Sequence, residues 1–330
     1  MKNPLLVPAL TAVIALSACG GSVKTTATPS KHSKVVDIRK AAMPFKVLVA
    51  AGGKQIPRAT MFAKLANAQA VCIGEAHPDP HQHWAQLTVL TELSKRAKHN
   101  GIQLGLGMEM FQRPFQGVLD DYRAGKISER EMLSRTAWKK RWGYNYSLYQ
   151  PMVRLAVKHG YALVALNTSR ELIKKVSRQG LDVMSAEDKA KLPELNLADK
   201  QHREWWHKLM SGMGGAAGHS SSSHKGKHHH HPKPTTTSKM SRAERIYSAQ
   251  VTWDETMADT AAKWLKGGEH RQIVILAGNG HCHESAIVRR MKRRGIERVL
   301  SIHPIVDTGD GEVGELLASP INDYVIVMEP

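Results

Sequence analysis

The sequence predicts an α/β fold: a mostly parallel central sheet flanked by helices, with a helical cap subregion and an N-terminal β-hairpin. Three observations carry this. Six short apolar runs, at 70–74, 102–108, 161–167, 272–277, 298–305 and 323–328, have the length and continuity of buried strands. Helix-like stretches alternate with them. Two of the runs end in the same turn, Gly74-Glu75-Ala76-His77 and Gly278-Asn279-Gly280-His281.

Each element has its own local signal. Phe45 to Ala50, the Gly52-Gly53 pair and Lys54 to Ile56 read as the hairpin. After the first buried strand, Trp84, Leu87, Leu90, Leu93 and Ala97 recur at helical spacing along one face. Tyr149 to His159 and Glu284 to Arg294 read as helices leading into strands. The stretches 114–150 and 170–260 are mostly helical and are expected to cap the sheet. Ser211 to Ser241 breaks the pattern with a glycine cluster, a serine run and four consecutive histidines from His228. Nothing in it buries a core, so it is expected to be a disordered insertion, able at most to scavenge divalent metal.

The ends of the chain set its organisation. Residues 1–18 read as a signal peptide: Lys2 supplies the positive start, and the apolar run Pro4 to Leu16 is short for a membrane span. Leu16-Ser17-Ala18-Cys19 looks like a bacterial lipobox, which makes Cys19 the lipidated (palmitate-bearing) residue. An ordinary secretory peptide is the alternative. By resemblance to Gram-negative lipoproteins, Gly20 in place of an aspartate, which would favour inner-membrane retention, directs the expectation to a lipid anchor in the outer membrane, within the cell envelope. Residues 19–40 then form a flexible tether and 41–330 one domain carrying the insertion. Only Cys72 and Cys282 remain, too few for a disulfide scaffold, and Cys72 reads as a small core residue.

Charge narrows the partners. With 47 Lys+Arg against 29 Asp+Glu the formal net charge is +18, a field that attracts anionic molecules or lipid surfaces. The exported address argues against nucleic acid. Part of the excess is a dense run from Arg289 to Arg294, read as a solvated helix face or as a partner for an anionic ligand.

Strand ends in an open parallel sheet line one crevice, where ligands bind. The candidate site residues are therefore Glu75 and His77, Glu109, Asn167 and Arg170, and His281, from four successive strand ends. In one reading His77 and His281, with His83 and His283 as further ligands, hold a divalent metal beside the glutamates. Arg170 then stabilises developing negative charge, and the protein is a metal-dependent hydrolase. In the other, the same groups rim a pocket for a larger ligand. The aromatic cluster Trp138, Trp142, Tyr144, Tyr146 and Tyr149 either packs the cap or walls a flat apolar ligand, with a tyrosine oxygen offered to a metal. No Cys-x-x-Cys-His occurs, so covalent c-type haem attachment is excluded.

The run Ile73-Gly74-Glu75-Ala76-His77 with His83 and Gln86 resembles the opening motif of the ChaN family of haem-binding lipoproteins. Similar blocks follow in order: Gly107-Met108-Glu109-Met110-Phe111, Trp142-Gly143-Tyr144, Asn167-Thr168-Ser169-Arg170, Trp253-Asp254-Glu255 and Gly278-Asn279-Gly280-His281. The resemblance implies a non-catalytic protein that binds haem noncovalently and takes part in iron uptake in the envelope. It also implies a homodimer with paired haems and an outer-membrane haem receptor as a further partner. His77, His281 and Tyr144 become candidate contacts to the iron, with Arg170 and the 289–294 run for the propionates. The wider Tiki and erythromycin-esterase-like superfamily, with its metal-dependent hydrolases, keeps the catalytic alternative open on Glu75, His77, Glu109, Arg170 and His281. After His281 the chain departs from the family's glycine-rich continuation with Cys282-His283-Glu284.

Overall fold

A computed structural model describes residue 38, residues 42–214 and residues 238–329. The signal peptide, Cys19 and nearly all of the expected tether lie outside these residues, as does 215–237 of the expected insertion. Its flanks are described and regular. Ser211–Gly214 closes the Lys200–Gly214 helix, and Ser241 caps the Arg242–Lys266 helix by accepting from the Glu244 amide.

Among the described residues one sheet holds all eight strands: β1 (Phe45–Val49), β2 (Gln55–Ile56), β3 (Ala70–Ile73), β4 (Gln103–Gln112), β5 (Ala162–Asn167), β6 (Arg271–Leu276), β7 (Val299–Val306) and β8 (Tyr324–Met328). Their order is β2-β1-β8-β7-β3-β6-β4-β5. The β1–β2 and β1–β8 pairs are antiparallel; every other pair is parallel. The expected mostly parallel sheet and N-terminal hairpin are therefore present.

Side chains alternate between two apolar layers, as period-two strands require. Val71, Ile73, Leu104, Leu106 and Leu276 face the Pro80–His99 and Gln150–Lys158 helices. Ala70, Cys72, Ile273 and Ile275 face the Arg242–Lys266 helix through Met257, Ala258, Ala261 and Leu265. Both faces are covered, which is why these strands read as unbroken apolar runs. The cap over the strand ends is built from the Gln116–Arg123, Glu129–Arg135 and Trp138–Arg141 helices.

Two expectations change here. Cys72 is more than a small core residue: it is disulfide-bonded to Cys282, with Cα atoms 5.4 Å apart. β3 and β6 are neighbours, so the turn after β6 brings Cys282 back against β3. A bond spanning 210 residues removes much unfolded-state entropy, about 5 kcal/mol in the chain-entropy account. The second change is at Glu284–Arg294, which is not one regular helix. Glu284–Val288 forms a π turn with Ala286 outside helical geometry (φ −104°, ψ −119°), followed by a short helix at Arg289–Arg293. The Arg290 guanidinium donates to the Ser285 and Ala286 carbonyls, at 2.6 and 3.1 Å, and supplies the bonds the kink withholds.

Candidate functional site

The carboxyl ends of β3, β6 and β4 stand side by side at the centre of the sheet, and each delivers one candidate. After β3, Glu75 is buried and accepts from Tyr149 Oη at 2.7 Å and from His77 Nδ1 at 2.8 Å on one oxygen. Its other oxygen accepts from Gln86 Nε2 at 2.8 Å. Burial pushes the Glu75 carboxyl up, but His83, His77 and the Tyr149 hydroxyl outweigh it, and the group sits below the ordinary carboxylate value. The His77 ring is thus held through Nδ1, and it packs against Trp142 and Tyr144 at centroid distances of 4.6 and 4.9 Å. Its side chain keeps 17% exposure, so this turn opens to solvent. Burial lowers the His77 basicity, yet the bond to Glu75 and the charges of Glu109 and Glu75 leave it raised.

The turn after β6 repeats the unit in a drier setting. His281 Nδ1 meets Asp254 Oδ1 at 2.6 Å, and the far oxygen of Asp254 lies 3.0 Å from His202 Nε2. His202 Nδ1 in turn meets Tyr247 Oη at 3.1 Å. Asp254 and His202 are fully buried and His281 nearly so. Burial opposes a charge on His281, but Glu109 and Asp254 overcome it and raise the imidazole to about 9. Asp254, flanked by two imidazoles, is held well below the usual carboxylate range despite its burial.

Glu109, from β4, lies between the two turns. One oxygen accepts from the Gly278 amide at 2.7 Å, and the other is 3.5 Å from His281 Nε2. Asn167, at the end of β5, braces it from behind by donating to the Glu109 carbonyl at 3.1 Å.

The motif glycines explain why the two turns fit together. A Cβ on Gly74 would fall 2.0 Å from Asn279 Oδ1, and one on Gly278 would fall 3.1 Å from His77 Cε1. Each glycine makes room for a residue of the other turn. Neither has positive φ, so close approach, not a special turn conformation, is what requires them. The Asn279 amide donates to the Glu75 carbonyl at 2.9 Å, and the Cys72–Cys282 bond lies directly beneath.

The other expected residues are placed elsewhere or serve differently. Both His83 nitrogens face protein acceptors, Gln86 Oε1 at 3.0 Å and the His77 carbonyl at 2.9 Å. That fully buried ring supports the turn and presents no nitrogen for a metal. His283 is also fully buried, packed 4.3 Å from the Trp205 ring, and burial pushes it down to about 3. It is part of the interior under the second turn and not a substitute ligand beside His281. Arg170 donates from its backbone to Gln112 Oε1 at 3.2 Å and from its guanidinium to the Lys140 carbonyl at 2.7 Å, tying β5 to the cap. The 289–294 run is consumed locally. Arg293 and Arg294 bond the buried Glu255 at 2.9 and 2.6 Å, Arg289 pairs with Asp199, and Lys292 with Glu284. A carboxylate taken out of water needs such partners, so the run serves the fold and is not the ligand clamp expected of it.

Asp254, His202 and Gln250 are functional neighbours that strand-end reasoning does not reach, because they lie on helices behind the turn. The available signal is a mid-helix aspartate beside Trp253 in the long helical stretch, a poor helix former that needs a buried partner.

Among the described residues no group of three or more His, Cys, Asp or Glu side chains is placed to hold a metal ion. The expected divalent metal has no site among them. Among the same residues no helix is long and apolar enough to cross a membrane.

A family model described as haem-binding uptake, Tiki superfamily, ChaN matches residues 61–291. The chain belongs to the ChaN family. The structure is similar to that of ChaN of Campylobacter jejuni, described by its cofacial haem binding, with a TM-score of 0.59 and 16% identity. The match covers 87% of this chain and 97% of that one, a likeness of fold. A mutant erythromycin esterase in its open conformation aligns at a TM-score of 0.42 and 12% identity, over 87% of this chain and 83% of its own. No curated protein sequence matches the chain. The haem-binding ChaN family and its fold are thus those the sequence motifs indicated.

Proposed function

We propose that this ChaN-family chain binds haem noncovalently at the His77 turn and serves haem or iron uptake in the cell envelope. One observation carries the reading: the His77 ring is held through Nδ1 by a buried carboxylate and packs against the Trp142 and Tyr144 rings. An oriented imidazole beside aromatic faces is a donor set that fits a flat apolar macrocycle with an iron centre. Haem would supply that iron; the protein's part is to orient one nitrogen and to wall the ring. Tyr144 fits the wall better than the iron. Burial and the carboxylates of Glu109 and Glu75 raise its hydroxyl above the ordinary value, which favours the protonated form. His281, Glu109 and Asn167 frame the far side of the crevice.

The finer parts of the proposal rest on sequence and kinship. Cys19 is the lipid attachment point, the outer membrane the destination, and an outer-membrane haem receptor a partner. The cofacial haems described for the Campylobacter jejuni protein support a homodimer in which two His77 turns face each other. The buried disulfide supports an oxidising compartment outside the cytosol.

Titrating the apo-protein with haemin tests the reading. A saturable Soret shift that persists when residues 215–237 are deleted is the expected result. A shift that vanishes with the deletion would assign the binding to the histidine-rich segment instead.

A second reading keeps one specific support. Each turn pairs a buried carboxylate with an imidazole Nδ1, the arrangement by which hydrolases orient a general base. Turnover of simple esters, abolished by Glu109→Gln, would favour that reading.

A further inference from the structure

We propose that the pole of the sheet opposite the histidine turns is a docking surface for anionic phospholipid headgroups. The proposal is independent of the haem reading. It starts from where the helices end. The Arg58–Ala66, Pro80–His99, Gln150–Lys158 and Arg242–Lys266 helices all terminate at the amino ends of the strands, with Lys64, Lys98, Lys158 and Lys266 exposed in their last turns. Each lysine has a local cause, since cations complement the carbonyl end of a helix. The collective consequence is a row of like charge.

Backbone contacts fix that row. The Gln69 amide donates to the Arg298 carbonyl at 2.7 Å, and the Gln103 amide to the His270 carbonyl at 2.8 Å. Gln103 is in register with Arg271, and Gly105 with Ala162. The loops entering β7, β3, β6, β4 and β5 therefore lie side by side, a span of about 19 Å at the usual strand spacing. Arg298 and Arg271 stand in the row with the four lysines. The opposing charges are few. Glu269 and Glu297 are exposed, and Glu92 is bonded to Lys95. At the other pole, Asp307 and Asp310 are exposed near the end of β7, and Lys139 and Lys140 are exposed on the cap.

The chemistry of the surface selects the partner. Between the cations lie exposed Asn100, Gly101, Gly160 and Gly268, while the nearby Tyr161 is buried and Trp264 is covered by the Arg271 guanidinium. A protein partner would ordinarily be offered aromatic anchors and a shaped pocket. A flat polar row of long cationic side chains instead suits a fluid charged surface. Nucleic acid is disfavoured by the buried disulfide, which belongs to an oxidising compartment. Docked this way, the protein points the His77 turn away from the bilayer.

Lysine acetylation footprinting of the full chain tests this. Reaction rates are read by mass spectrometry with vesicles of phosphatidylcholine alone and with vesicles containing phosphatidylglycerol. Reading single lysines keeps any attachment through the N-terminal segment from deciding the result. The expected outcome is protection of Lys98, Lys158 and Lys266 by about threefold or more on anionic vesicles, lost in high salt. Lys46, Lys139 and Lys140 should keep their rates. Uniform protection, equal protection by neutral vesicles, or none would overturn the proposal. Protection by soluble polyphosphate but not by anionic vesicles would overturn the lipid assignment. As a second arm, Lys98→Gln, Lys158→Gln, Lys266→Gln together should abolish the anion-dependent protection of Lys64, whereas Lys46→Gln, Lys139→Gln, Lys140→Gln together should leave it. Equal loss in both triple variants would mean that total charge, not this pole, draws the protein to the vesicle.

Discussion

The two Gly-x-x-His turns share a motif and a second carboxylate–imidazole bond, yet they sit in opposite environments. His77 is supported by Glu75, with Gln86 and Tyr149 behind it, packs against Trp142 and stays partly exposed. His281 is closed in by Asp254, Gln250 and Glu109, with His202 and Tyr247 continuing the polar chain into the interior. The same local sequence therefore yields a partly exposed histidine at one strand end and a buried one at the other. The difference arises from what packs on each turn: a short aromatic cap over the first, a long helix carrying a buried aspartate over the second.

The comparison fails most visibly if the buried side is not structural. Asp254→Ala leaves His202 and His281 without the buried carboxylate both of them contact and should destabilise the fold by about 3–5 kcal/mol. Urea unfolding of this variant beside His77→Ala is the check. His77→Ala should cost no more than about 1–2 kcal/mol, because its ring is partly exposed. Equal losses would erase the distinction.

Next in size is the link beneath both turns. Replacing Cys72 and Cys282 together by alanine should lower the unfolding free energy by about 2–5 kcal/mol. The same change should speed amide exchange in 277–288 relative to the strand cores. Unchanged exchange there would show that the disulfide does not hold the second turn.

The pH dependence sharpens the contrast further. His281 is raised in the fold from 6.5 to about 9. Its charge therefore stabilises fully below about 6.5, and that contribution is lost as pH climbs through 9. Asp254 is depressed, so its share is present above its ordinary value of 3.8 and is lost only as pH falls well below that. The stability gap between wild type and His281→Asn should be widest near pH 5–6 and fade toward pH 10, by on the order of 3 kcal/mol. Burial holds His283 down at about 3, and this acts the other way, weakening the fold as pH falls below 6.5. A gap independent of pH would contradict the paired, charged state assigned to His281.

The smallest effect concerns fit. Gly278→Ala places a methyl 3.1 Å from His77 Cε1, which a side-chain shift of a few tenths of an ångström relieves. Gly74→Ala places a methyl 2.0 Å from Asn279 Oδ1, so the Asn279 side chain must leave its place beside Gln82. Thermal unfolding should rank Gly74→Ala below Gly278→Ala; the reverse order would mean the turns do not interlock as described.

These contrasts also show what the sequence makes legible. The strands are readable to within one or two residues at most ends because burial on both faces writes them as unbroken apolar runs. The meeting of Glu75, His77, Glu109 and His281 follows from the rule that strand ends share one crevice. What stays hidden depends on packing between distant segments. Asp254 looks like one more polar residue on a long helix until the helix is laid against the second turn. Cys72 and Cys282 join only because β3 and β6 are neighbours. Arg293 and Arg294 look like a free basic face until Glu255, buried beneath them, is seen to claim them. The role of each motif glycine likewise lies in the other motif, which no local reading contains.

The central claim is that the exposed imidazole, and not its buried counterpart, binds the ligand. The most direct measurement is a haemin titration of wild type, His77→Ala and His281→Asn at neutral pH, with folding verified by circular dichroism. The Soret shift should be lost or weakened at least tenfold in His77→Ala, and retained within a few-fold in His281→Asn. Wild-type affinity in His77→Ala, with loss confined to His281→Asn, would contradict it.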